Sequence, residues 1–326
     1  MMYWLQQINS ILQKGMPLIT PLAVVTGVLL ADWLAPLEFL VPWIFAVMTF
    51  SGSLGSNFMD LKRVMHHPLP LIISLLILHL VMPLLSFGVG HLVFYDDPYF
   101  VTGFILAFII PTGITSLIWV SVHKGNVVLT LSIILIDTLL APFIVPGLLY
   151  LFIGSAVQMN GTDIMIGLFW MVVIPSLFGM GLNQWTNGKA KDHLAPALAP
   201  FSKIGIGMVV AINSSAAAAY FRNIDWQLVL VGLVVLCMAI IGYALGWLSS
   251  KGLNVNEATA ISLMYNNGMR NISAGAVIAI TYFPAPVTVP VIAAMLFQQV
   301  LASFSGGVVE RLLTHHENNL SRIENL

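Results

Sequence analysis

Residues Asn266-Asn267-Gly268-Met269-Arg270-Asn271 put four polar or charged side chains into six positions of an otherwise apolar run. A second apolar run is interrupted by Pro111-Thr112-Gly113-Ile114-Thr115-Ser116. Asp137 is the acidic residue that lies deepest within any apolar run. The chemistry available to such groups is coordination. An interrupted helix frees N–H groups at one half-helix start, which attract anions, and carbonyls at the other half-helix end, which attract cations. At membrane depth freed backbone is tolerated only inside protein or beside a water cavity. A charged side chain there is expensive, and is kept where it pairs or functions.

Arg270 therefore needs a partner, and Asp137 is the expected one. It lies about eleven residues into its run, near the midplane at about 1.5 Å rise per residue. It shares a helical face with Thr130, Ile134, Thr138 and Ala141. Two roles remain open. The pair is either a structural ion pair standing in for a bound cation, or Arg270 binds a substrate carboxylate while Asp137 carries a proton. His79 reads first as a hydrogen-bonded core histidine. Asn213, Ser214 and Ser215 would face the same cavity, or pack as small residues beside Ala216 to Ala219. Gln298 and Gln299 would line the site or bond between helices. His66-His67 and His315-His316 read as inert surface residues, and Thr314 to Leu326 as a polar, frayed tail.

The elements that must position these groups are membrane spans. Of 326 residues 59% are hydrophobic and 8% charged, with mean hydropathy +0.95. A soluble domain carries about 25% charged residues, so lipid is the solvent. A net charge of −1 gives no sign of a nucleic-acid partner. Cys237 is the single cysteine, so neither a disulfide within the chain nor a cysteine metal site can form. Ten apolar runs are expected as spans, at about 18–35, 38–55, 68–94, 98–122, 126–153, 162–185, 200–220, 226–249, 255–282 and 286–313. Residues 1–17 read as an interfacial segment. Pro83, Pro142, Pro146 and Pro175 read as simple kinks.

With ten spans, Lys14, Lys62, Arg63, Lys124, Lys189, Lys191, Lys251, Arg311 and Arg322 share one side. The other side holds Arg222 with Asp32, Glu38, Asp96, Asp97, Asp163 and Asp225. The positive-inside rule then puts both termini in the cytoplasm of a cell, a bacterial inner membrane being expected. Five spans is an odd number, so a five-helix repeat (18–154, then 155–313) would enter the membrane in opposite senses in its two copies. The two interruptions fall in the fourth span of each half, the pointer to a transporter's solute site.

These residues resemble the bile acid:sodium symporter family. The resemblance rests on Pro111 to Ser116, His123-Lys124-Gly125-Asn126-Val127, Gly268-Met269 with Asn271, and Met82-Pro83. It implies an all-α fold of ten helices in two inverted repeats, with discontinuous helices four and nine crossing at the midplane. It also implies a panel of spans 1, 2, 6 and 7 rocking against a core of spans 3–5 and 8–10, and inward movement of organic anions with sodium. Taking these residues together with those read above, Thr112, Ser116, Asn213, Asn267, Arg270 and Asn271 are the expected substrate residues. Ser116, Thr130, Asp137, Asn266, Met269 and Arg270 are the coupling residues.

Departures from the family pattern bear on sodium. Asn266 stands where the family has Glu, Arg270 where it has Gln, Leu117 where it has Asn, Ile134 where it has a hydroxyl, and Leu78 where it has Gln. Sodium wants several oxygen ligands, and a guanidinium beside the site repels it. The expectation is a secondary carrier of a small or amphipathic organic anion, with sodium coupling in doubt and proton coupling or exchange as rivals. No cofactor is expected, and the oligomeric state is open, a monomer being one option. An intramembrane enzyme lacks a His-Glu-x-x-His or Gly-x-Ser-x-Gly motif. A channel lacks a filter loop or charge rings.

Overall fold

Asparagine and aspartate start six of the helices. Asp97, Asn126, Asn160, Asp225, Asn256 and Asn271 each accept a backbone N–H from the first turn that follows. Such caps satisfy donors that a helix start leaves orphaned. Pro98 adds a first-turn proline that has no N–H to satisfy. The computed structural model describes residues 2–56, 58, 68–154, 157, 159–222 and 225–324, with side chains between residues 7 and 308. All regular structure among them is helical, apart from one isolated antiparallel bridge.

Helix α1 (Met2–Leu29) is continuous, so residues before 18 form the opening turns of the first apolar helix. Helix α2 (Ala31–Leu34) and a 3-10 stretch (Ala35–Leu40) lead into α3 (Val41–Ser53). Helices α4 (Leu69–Leu76) and α5 (Met82–Val93) are joined by a π-helical turn at Ile77–Val81. Helices α6 (Pro98–Ile109) and α7 (Ser116–Val122) flank the first interruption, and α8 (Val127–Ile153) follows. Helices α9 (Gly161–Leu168) and α10 (Ile174–Trp185) flank a second π-turn, Phe169–Val173. A third, Ala190–Leu194, opens into α11 (Ala195–Ala216) and the short α12 (Ala218–Arg222). Then come α13 (Trp226–Gly252), α14 (Glu257–Gly268), α15 (Ile272–Tyr282) and α16 (Thr288–Glu324).

Each π-turn ends two residues before a proline, Pro83, Pro175 or Pro196. A proline ring clashes with the carbonyl four residues back and donates no bond, and a widened turn absorbs both defects. Pro142 and Pro146 instead lie within the continuous helix α8.

Among the described residues eight helical stretches, from Gln7–Leu29 to Ala285–Val308, are long and apolar enough to cross a membrane. The runs at 98–122 and 255–282 are not continuous helices: each is split into two shorter pieces. These split runs are also the most enclosed. Phe100 to Ile110 and Thr259 to Asn267 are buried at every position, whereas α1 and α13 expose Leu18, Leu22, Leu233 and Leu248. Freed backbone at membrane depth thus sits where protein surrounds it. Close packing supports that enclosure. A Cβ on Gly246 of α13 would lie 2.4 Å from the carbonyl oxygen of Leu263, so α13 meets α14 backbone to backbone.

Lys62, Arg63, His66 and His67 lie outside the described residues, as do the side chains of Arg311, His315, His316 and Arg322. The backbone of α16 stays helical to Glu324 rather than fraying after 313.

Candidate substrate and ion site

The two interruptions meet. Thr112 and Arg270 form the isolated antiparallel bridge. Asn271 N–H donates to the Pro111 carbonyl at 2.7 Å, and Gly113 N–H to the Met269 carbonyl at 3.2 Å. Pro111 cannot extend α6, and both segments turn extended, so each break supplies the partner that the other has lost. Gly113 permits the approach, because a Cβ there would lie 2.7 Å from the Arg270 carbonyl oxygen.

Side chains finish the junction. The Thr112 hydroxyl lies 2.8 Å from the Asn266 carbonyl and 3.0 Å from that of Met269. These are the carbonyls that the end of α14 would otherwise offer to a cation. Ser116 donates to Asn266 Oδ1 at 3.2 Å, and Asn266 Nδ2 donates to Thr130 Oγ1 at 3.0 Å and to the Ser262 carbonyl at 2.7 Å. Asn267 Nδ2 donates to Ser74 Oγ at 3.1 Å. Asn271 caps α15 by accepting from Ala274 N–H.

Asp137 is fully buried, and its partners are not the expected one. Its Oδ2 accepts the Thr112 N–H at 2.6 Å, and its Oδ1 lies 2.9 Å from His79 Nε2, too obliquely for an aligned hydrogen bond. The expected Asp137–Arg270 ion pair is corrected accordingly: none is present among the described residues. The physical reason is local. His79 sits within the π-turn of span three that carries it to Asp137, and the break leaves the Thr112 N–H in need of an acceptor.

Arg270 is 3% exposed, and its Nη1 and Nη2 have no hydrogen-bond partner among the described residues. Its backbone N–H donates to Gln298 Oε1 at 3.2 Å. It borders a cavity of about 310 Å³, together with Thr112, Gly113, Asn271, Ser273, Gln298 and Gln299. The opposite wall comes from α1, α3, α10 and α11, through residues such as Thr20, Phe45, Ser176 and Ile206. Of the residues read as candidates from sequence, Thr112, Arg270 and Asn271 reach this cavity. Ser116, Thr130, Asn266, Asn267 and Met269 are buried in the junction behind it. Asn213 does neither: it is buried in α11 with both amide atoms unpaired, and the Ser214 hydroxyl is unpaired beside it.

Lys203 escaped the sequence reading. It lines the cavity at 5% exposure, and its ammonium contacts Asn9 Oδ1, the Asn9 carbonyl at 3.5 Å and Gln13 Oε1 at 3.4 Å. The signal was present, since a lone lysine inside an apolar span marks a site or a structural partner. Gln299 also holds Trp119, whose Nε1 donates to Oε1 at 3.1 Å.

Comparison with known proteins places the chain among membrane transporters. A family model described as the Sodium Bile acid symporter family matches residues 42–224. The chain is 51% identical over 296 residues to a protein of Bacillus subtilis (strain 168) named "Uncharacterized protein YbaS", covering 91% of this chain and 97% of that one. It is 26% identical over 247 residues to "Uncharacterized sodium-dependent transporter YocS" of the same organism, covering 75% and 74%. It is also 26% identical over 277 residues to "Probable sodium/metabolite cotransporter BASS1, chloroplastic" of Oryza sativa subsp. japonica, covering 85% and 66%.

Proposed function

The chain belongs to the Sodium Bile acid symporter family, and from that premise we propose that it carries a small organic anion across the membrane by alternating access, with Arg270 as the anion's anchor. It is a multi-pass membrane transporter rather than an enzyme.

The observation that carries the proposal is the guanidinium of Arg270, buried beside a cavity with neither Nη1 nor Nη2 hydrogen-bonded among the described residues. A buried charge without a partner is strongly unfavourable, and an entering carboxylate would relieve it with two parallel N–H···O bonds. The start of α15 reinforces this, since Asn271, Ile272 and Ser273 line the same cavity at the positive end of the helix. A volume of about 310 Å³ is at the small end of the roughly 300–1,000 Å³ typical of ligand pockets. That size favours a compact metabolite over a large amphipath.

The ten-span plan of two inverted repeats, 18–154 and 155–313, is the architecture we assign, with spans 1, 2, 6 and 7 moving against the rest. Its support is that the cavity lies between helices of those two groups. The charge distribution favours cytoplasmic termini in a cell membrane.

For coupling we assign the proton rather than sodium. Ser116 and Thr130 both bond to Asn266, Thr112 takes the freed carbonyls, and the carboxylate at the junction, Asp137, is taken by the Thr112 N–H. The buried His79–Asp137 contact is the exchangeable pair, and it touches the anion site through the Thr112 N–H. Arg270 is the remaining charge facing Asp137. The test is anion uptake into proteoliposomes after a sodium jump and, separately, a pH jump. Acceleration by the pH jump alone is expected. Steep dependence on sodium overturns the coupling assignment.

A further inference from the structure

We propose that the ligand of this cavity is a dianion, a small dicarboxylate with one acid at Arg270 and the other at Lys203. The proposal rests on the anion-carrier reading above and narrows it.

Two cations border one cavity, and no aspartate or glutamate is among its described lining residues. Neither cation is in a direct ion pair among the described residues. The terminal nitrogens of Arg270 have no partner, and the Lys203 ammonium contacts only neutral oxygens, those of Asn9 and Gln13 on α1. Both residues are at least nine-tenths buried, so solvent screens them weakly. The rest of the lining mixes apolar side chains, such as Phe45, Met48, Ile206 and Met295, with hydroxyls such as Thr20, Thr49 and Ser176. Two cationic residues on facing walls of one cavity, with apolar side chains among its lining, suit two carboxylates on a short aliphatic frame, the second drawing the Lys203 ammonium off Asn9 and Gln13.

The same arrangement gives selectivity. A monocarboxylate at Arg270 would leave the Lys203 ammonium on amide oxygens alone, and would bring no second charge into the low-dielectric wall. Sites built for a polar group discriminate strongly against ligands that lack it. Lys203 is on α11 and its neutral partners are on α1. A second carboxylate would therefore replace Asn9 and Gln13, not an existing ion pair.

The experiment is calorimetric titration of the purified full-length chain in detergent at pH 7, where simple carboxylates are ionised. The probes are malonate, succinate, glutarate and adipate, each against the monocarboxylate of equal length. In the wild-type chain at least one dicarboxylate is expected to bind about tenfold or more tightly than its monocarboxylate. Lys203→Gln is expected to weaken the dicarboxylate more than the monocarboxylate, so that the two bind within about twofold of each other, and Lys203→Arg to preserve the preference. A wild-type chain with no preference for any dicarboxylate overturns the proposal, and that comparison needs no variant. So does a Lys203→Gln chain that keeps the preference, or one that loses both ligand classes equally. Arg270→Gln separates the two readings: unchanged binding of every probe in that variant defeats the anchor itself, whatever Lys203 does.

Discussion

The carboxylate of Asp137 holds the backbone N–H of Thr112 at 2.6 Å, so the first interrupted segment hangs from the middle of helix α8. Asp137→Ala leaves that N–H buried without an acceptor, a penalty of about 1–3 kcal/mol. A lower melting temperature in detergent is expected, with a smaller drop for Asp137→Asn, which retains an oxygen. Both variants are expected to abolish acceleration of uptake by a pH jump. A variant with normal melting and normal pH response would detach Asp137 from both roles.

Sodium coupling should be restorable by chemistry. Asn266→Glu combined with Arg270→Gln puts back a carboxylate and removes the cation that opposes sodium. The double variant is expected to melt at a higher temperature in sodium than in potassium, with no such difference in the wild type. The ratio of the two melting temperatures against ion concentration checks this.

Asn213 and Ser214 are buried in α11 with unpaired polar atoms, and a state that turns them to the cavity would repay that loss. Asn213→Leu removes the unsatisfied amide, and is expected to stabilise the present conformation by about 1–3 kcal/mol while slowing transport. Thermal melting and uptake measured on the same preparation give opposite signs if α11 presents Asn213 to the cavity in the opposite-facing state.

Gly246 touches the Leu263 carbonyl without room for a methyl group. Gly246→Ala forces α13 off α14, which overpacking places at about 1–3 kcal/mol. Because α14 carries Asn266 and Asn267, reduced ligand affinity is expected alongside the lower melting temperature.

Much of this was legible in the residues. Pro111 and the polar cluster at 266–271 announce breaks because no apolar helix tolerates them idly. The meeting of the two breaks was readable only through the family resemblance, since hydropathy says nothing of which spans touch. The partner of Asp137 was misread because it was matched by charge alone, as the deepest acid for the buried Arg270, and the position of His79 within its helix was not weighed. The π-turn before Pro83 carries His79 inward. Lys203 was overlooked although it interrupts an apolar span, because its neutral partners Asn9 and Gln13 lie almost two hundred positions away on another helix and leave no local charge pattern.

The most direct measurement is an experimental density map of the full chain with a small carboxylate bound. The account predicts carboxylate oxygens within hydrogen-bond distance of Arg270 Nη1 and Nη2, with Asp137 still on Thr112. An anion bound elsewhere, with the Arg270 guanidinium paired to Asp137, would contradict it.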